Sequence, residues 1–282
     1  MEEYHVGIDF GLSNSHIGIY KDGMVQIVPN KLGERNIPSI VCFTDQNKVL
    51  VGEEAISQKM DEFNKIIYEV KKFIGLSYQQ FIKREYDKNL NYEVVNKDGI
   101  PKIRININGN ESFYSAEDIT SLILQKMVKY AEDFIQQTDK VVKINKAIIT
   151  EPVHFSMSQT EAMRRAAKRA GIEILRIIKE HTAAAIAYGL GKDLILYSSV
   201  DQNEIFYELL KIDSDKSNEN LDTFPPISFD KSSEKVIVFD LGGRTFYITL
   251  LNIIKYSEDN INFDIFATNG DIHLGVSDFD NK

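Results

Sequence analysis

At 282 residues, 43% hydrophobic and 27% charged, the chain holds enough apolar material for one large domain or two smaller lobes. Its 33 basic and 42 acidic residues give a net charge of −9, which argues against a nucleic-acid backbone or an anionic membrane as the main partner. A single cysteine, Cys42, excludes an intrachain disulfide and a cysteine-based metal cluster; with no signal-peptide pattern in MEEYHVGIDFG and no run near the ~20 apolar residues of a membrane span, a cytoplasmic location is expected.

His5 to Phe10 reads as a buried strand ending at Gly11, His16 to Tyr20 as its antiparallel return, and Met24 to Val28 as a third strand after the Asp22-Gly23 turn. Ile40 to Phe43 and Val49 to Val51 read as a further hairpin. Glu53 to Asp61 and Ile67 to Ile74 read as short helices, the second closed by Gly75. Tyr92 to Val95, Lys102 to Ile107 and Ser112 to Tyr114 alternate as strands do.

A long helix follows, opened by Ser115 with Asp118 and carried by Ile119, Leu122, Ile123, Met127, Ala131, Phe134 and Ile135 through Gln137. Ala147 to Thr150 is a short buried strand. Ser158 with Glu161 reads as a second capping box, on a helix closed by Gly171. Glu173 to Ile178 is a strand and Thr182 to Tyr188 a small-residue helix. Residues 192–234 are polar and turn-rich and read as an insertion. Strands resume at Lys235 to Asp240, Thr245 to Asn252 and Asn262 to Ala267.

Two stretches share apolar-Asp-apolar-Gly at a strand end: Ile8-Asp9-Phe10-Gly11 and Phe239-Asp240-Leu241-Gly242. Each precedes a returning strand, which suggests two related lobes with a ligand between them. Bare backbone N–H groups in a glycine turn can cradle phosphate oxygens. A carboxylate at each turn can hold a hydrated Mg²⁺ together with phosphate. An ordinary Asp-Gly hairpin turn explains either stretch alone; the pair favours the ligand reading.

Five segments in one order, IDFGLSNSHIGIY, AIITEPVHF, RIIKEHTAAAIAYGLG, VIVFDLGGRTFYITLL and NGDIHLGVSDFDNK, resemble the nucleotide-binding domain of the seventy-kilodalton heat-shock chaperone family. The likeness runs from Val6 to Gly191 and resumes at Val236. It implies an α/β fold of the actin-like ATPase (ribonuclease H-like) type, with two lobes and the second incomplete. The implied layout is a first lobe over 1–191 (subdomains IA and IB, IB about 39–115), the insertion over 192–234, and the start of subdomain IIA over 235–282.

The resemblance also implies ATP or ADP and Mg²⁺ as ligands. Asp9 and Asp240 would bind the metal through water. Gly11, Ser13 and Asn14 in the first turn, Gly242, Gly243 and Arg244 in the second, and Gly275 would meet the nucleotide. Lys71 would stabilise charge on the transferred phosphate, Glu180 would position water, and Thr245 would complete the catalytic group. J-domain proteins or nucleotide-exchange factors are the implied partners. No peptide-binding domain of the family is present in the sequence, so binding of client peptide is not expected of this chain.

Several residues depart from the family pattern. Leu12 stands where a hydroxyl is usual, Arg244 at a third glycine, Tyr247 at an aspartate, His181 at a proline, Thr160 at an arginine and Val276 at a glycine. Arg244 admits three readings: it reaches a phosphate, it fills the cleft, or it points away. His5, His16, His154 and His273 show no metal spacing, Cys42 reads as a buried strand residue, and the run Arg164 to Arg169 reads as a solvated helix face or a docking surface.

The leading expectation is an ATP/ADP-binding domain of a divergent chaperone or cochaperone with weak hydrolysis at best. The alternative is a nucleotide-independent scaffold resembling ribosome-associated members of the family. A sugar kinase of the same fold is a third, weaker reading.

Overall fold

A computed structural model describes residues 4–21, 24–57, 65–136, 142–188, 233–243, 245–257, 260–271 and 274–276. Strands β1 (Val6–Asp9), β2 (Asn14–Lys21), β3 (Met24–Ile27) and β4 (Ile37–Pro38) open the chain. The hairpin β5 (Val41–Phe43) and β6 (Val49–Val51) leads to α1 (Glu53–Ile56) and β7 (Ile66–Ile67). Next come α2 (Tyr78–Lys83), the meander β8 (Glu93–Lys97), β9 (Ile100–Ile107) and β10 (Asn110–Ser115), and the long α3 (Ala116–Gln136). Then β11 (Lys146–Glu151), α4 (Met157–Arg169), β12 (Glu173–Lys179) and α5 (Glu180–Ala187) precede β13 (Ser233–Leu241), β14 (Phe246–Ser257) and β15 (Asn260–Asp271).

The first sheet has the order β12-β11-β1-β2-β3, with β4 paired to β2. β1 runs parallel to β11 and antiparallel to β2, so it is flanked on both sides. That explains its apolar composition: Val6, Ile8 and Phe10 are buried, as are Ile17, Ile19, Ala147 and Ile149 from its neighbours. Ile119, Ile123 and Met127 of α3, and Ala162, Met163 and Ala166 of α4, bury their helical stripes in the same core.

Ion pairs from Arg165 to Glu117 and from Arg169 to Asp118, both at 2.7 Å, join α4 to the acidic first turn of α3. Two members of the basic run are therefore helix-to-helix clamps, not merely a solvated face. Cys42 is buried in β5.

The chain forms two compact units. One comprises Met1–Ala183, Phe239–Ile248 and Asn269–Lys282; the other comprises Ala184–Val238 and Thr249–Thr268. In the second unit Ala185, Leu251 and Ile253 are buried, with Val236, Val238, Ile261, Phe263 and Ile265 packed on them.

Most expected strands lie within a few residues of the observed ones; two local expectations are corrected and one helix is added. Ile67 to Ile74 is not a helix. Ile66 and Ile67 pair with Cys42 and Val41 as β7, and Glu69 at φ 58° then breaks the chain into a single 3₁₀ turn, Val70–Lys72. The α4 cap is Ser156 with Gln159, not Ser158 with Glu161: Ser156 is extended, takes the Gln159 N–H and receives the Gln159 side chain in return. Helix α2 was not expected from the sequence, and it carries its own capping box, Ser77 with Gln80.

Ser115 with Asp118 does cap α3, with Ser115 N–H to Asp118 Oδ2 at 2.8 Å. The Asp22-Gly23 turn, Arg244, His273 and the stretch 192–234, apart from Ser233 and Glu234 at the start of β13, lie outside the described residues. Among the described residues no helix is long and apolar enough to cross a membrane.

Candidate functional site

The first turn follows β1. Register places Asp9 opposite His16 on β2, and the parallel pairing of Ile8 with Ile149 brings Thr150 alongside. Thr150 Oγ1 donates to Asp9 Oδ1 at 2.7 Å, and His16 Nδ1 lies 3.5 Å from Asp9 Oδ2. Burial alone would raise the Asp9 pKa. The hydrogen bonds from His16 and Thr150 and the charge of Lys71 outweigh it and hold the carboxyl below its ordinary value. Chiefly through its bond to Asp9, His16 is pushed up, and its Nε2 reaches Asn36 Oδ1 at 2.9 Å. Gly11 is required here: a Cβ would run into the Asn14 carbonyl oxygen.

Lys71 sits in the 3₁₀ turn and is buried; its Nζ meets Glu180 Oε1, at the start of α5, at 2.5 Å. Two left-handed residues bracket this turn. Glu69 accepts the Lys72 N–H through its backbone and pairs with Lys72 Nζ through its side chain at 2.6 Å. Gly75, at φ 70°, lets the chain press on α4; a Cβ there would lie 2.6 Å from Ser158 O and 2.7 Å from Gln159 Cα.

The second turn follows β13. Gly242 N–H bonds Thr245 O at 2.8 Å, and Val276 N–H bonds Gly242 O at 3.0 Å. A Cβ on Gly243 would strike the Ser13 hydroxyl, so the two glycine turns approach each other. Asp240 Oδ2 lies 3.4 Å from Nε2 of the buried His181.

Tyr247 stacks on His154, with centroids 5.0 Å apart and rings 17° from parallel, and lies 6.0 Å from the His181 ring. His154 is exposed overall. Yet burial against its neighbours, with the charges of Lys71, Arg84 and Lys179, pushes its pKa down to about 4. Burial raises the Tyr247 phenol.

Of the expected residues, the structure thus brings Asp9, Gly11, Ser13, Asn14, Lys71, Glu180, Asp240, Gly242, Gly243, Thr245 and Gly275 into one unit. Asn14 is exposed at the start of β2, and Gly275 is buried next to Val276. Arg244 lies outside the described residues. Sequence pattern alone does not bring His16, Thr150 or His154 to this region; His181, which stands at a family proline, lies against Asp240. For His16 the hairpin register supplies the missing signal, because residues directly opposite across a hairpin share a face. Among the described residues no group of three or more His, Cys, Asp or Glu side chains could by itself hold a metal.

The mixed sheet, with β1 parallel to β11, antiparallel to β2 and covered by helices, is consistent with the actin-like ATPase fold that the family match implies. The family model described as Hsp70 protein matches residues 5–282. A chaperone protein dnaK of Cyanidioschyzon merolae (strain NIES-3377 / 10D) is 35% identical over 277 residues, which is 98% of this chain and 37% of the relative. The chain belongs to the Hsp70 family, and it spans 37% of the length of that curated relative.

Proposed function

We propose that this chain is the ATP/ADP-binding region of a chaperone or cochaperone in which hydrolysis is weak at best. The observation that carries the reading is the approach of the two glycine turns, Gly243 to Ser13, in the same unit as the buried Lys71–Glu180 pair. Glycine turns leave backbone N–H groups bare of side chains, and such donors suit phosphate oxygens. Two carboxylates, Asp9 and Asp240, suit Mg²⁺ when phosphate and water complete its six oxygens. When bound, that ion would supply charge neutralisation at the phosphates.

On this reading Gly11, Ser13, Asn14, Gly242 and Gly243 lie along the phosphates, and Gly275 also meets the nucleotide. Lys71 Nζ donates to the transferred phosphate, Glu180 orients water, and Thr245 assists through its hydroxyl. Weak hydrolysis is supported by two contacts. Lys71 and Glu180 already satisfy each other at 2.5 Å, so each must loosen to act. Tyr247, at the place of a family carboxylate, is engaged with His154.

The remaining parts of the reading are the 1–191 and 235–282 lobes around the 192–234 insertion, a cytoplasmic location, and J-domain or nucleotide-exchange partners. Calorimetric titration with Mg-ATP tests the reading. Heat of binding that Asp9→Ala abolishes supports it, and no binding by the wild-type chain sinks it.

The nucleotide-independent scaffold is favoured by one specific observation: His181 and His16 already engage the two aspartates. Under it Mg-ATP leaves the thermal midpoint unchanged, whereas a ligand of the folded state raises it.

A further inference from the structure

We propose that Ser39 is a positioning residue that shapes the first glycine turn into an anion-binding surface; the inference rests on the phosphate reading above. Ser39 follows β4, whose pairing with Asn14 and Ser15 sets it beneath the turn, and it is 2% exposed. It makes three contacts there. Its N–H donates to the Ser13 carbonyl at 2.8 Å, its hydroxyl donates to the Gly11 carbonyl at 2.9 Å, and its Oγ lies 2.8 Å from Oγ of the fully buried Ser15.

The proton order in this set is determined. A serine hydroxyl has one hydrogen. That of Ser39 goes to Gly11 O, which can only accept, so the Ser15 hydroxyl donates to Ser39 Oγ. Both of Ser39's donors are therefore spent on carbonyls of the turn. Carbonyl oxygens are the groups that repel a phosphate. In a trans peptide the C=O and the following N–H point in opposite directions. Fixing the Gly11 carbonyl on Ser39 turns the Leu12 N–H away from it, and fixing the Ser13 carbonyl does the same for the Asn14 N–H. The turn then offers donors on the side away from Ser39.

Leu12 carries no hydroxyl, so backbone donors matter more at this turn than they would beside a second serine or threonine. The Gly11 collision limits the alternatives further, since the chain there is already in contact with the Asn14 carbonyl.

The test uses the full 282-residue chain, with ¹H–¹⁵N spectra and amide exchange of Leu12, Ser13 and Asn14, and with Mg-ADP and inorganic phosphate as probes. Ser39→Ala keeps the backbone bond and loses the hydroxyl. It should speed exchange at the turn at least tenfold while Ile148 and Ile149 of β11 stay unchanged, and weaken Mg-ADP at least tenfold. Ser39→Thr should restore both to within about twofold. Ser15→Ala, which removes only the donor to Ser39 Oγ, should give a smaller effect of the same sign.

Unchanged turn exchange in Ser39→Ala overturns the proposal. So does faster exchange shared equally by β11, which marks a purely structural serine. Loosened turn amides in a chain whose wild type responds to neither Mg-ADP nor phosphate overturn the phosphate reading and leave Ser39's hold on the turn standing.

Discussion

The two strand-turn-strand stretches carry the same apolar-Asp-apolar-Gly pattern in very different settings. β1 is flanked on both sides in its sheet: Ile8 and Phe10 are buried, Asp9 is held by Thr150 and His16, and Ser39 ties down the carbonyls of Gly11 and Ser13. β13 lies at the edge of its sheet among the described residues, with Ile237, Phe239 and Leu241 exposed at 39%, 66% and 40%. Its turn is closed by the Gly242–Thr245 bond and the bond from Val276. The pattern specifies turn chemistry, while the rigidity of the turn comes from what surrounds it.

The largest expected contrast is between the two phenylalanines. Phe10→Ala empties a fully buried site and should cost about 3–5 kcal/mol, whereas Phe239→Ala, at a residue 66% exposed, should stay within about 1 kcal/mol despite its contact with Phe246. Urea unfolding of both variants measures the difference. Equal losses would break the comparison.

A second pair of variants tests the glycines. Gly75→Ala puts a Cβ on a left-handed residue and against the backbone of α4, so about 2–4 kcal/mol should be lost. Gly243→Ala meets only the Ser13 side chain, which can rotate, and about 1 kcal/mol or less is expected. The order should reverse for Mg-ADP: Gly243→Ala displaces the Ser13 hydroxyl proposed to meet phosphate, and calorimetry should show the greater loss of affinity there.

Most strands were legible from alternation and turn residues, because β2, β9 and β11 each bury one face. Helix α2, six residues long, is too short to show a helical period, and the break at Glu69 depends on a backbone angle that glutamate rarely adopts. At the site, the two Asp-Gly turns could be read from spacing, but Lys71 and Glu180 could be assigned only through the family resemblance. They are 109 positions apart, and only the packed sheet brings them together. Thr150 reaches Asp9 across 141 positions for the same reason: parallel pairing has no local sequence signal.

The smallest expected effect concerns His154, which ties the β11 loop to Tyr247 beside the second turn. Its pKa falls from an ordinary 6.5 to about 4 in the fold. As pH falls from 6.5, the unfolded chain takes up a proton that the folded chain does not, so unfolding becomes more favourable. The contribution is therefore full above pH 6.5, declines as pH falls toward about 4, and is constant below. Because the residue is exposed overall, solvent screening keeps the effect modest. His154→Phe keeps a ring to stack on Tyr247 and removes the titration, so the difference in urea midpoint between wild type and variant should change with pH only within that window. A difference that stays flat from pH 7 to pH 4 would mean that the ring is as well hydrated as in the unfolded chain. The Tyr247 stack would then add little support to the second turn, and the contrast between the two turns would be wider than the contacts at Tyr247 indicate.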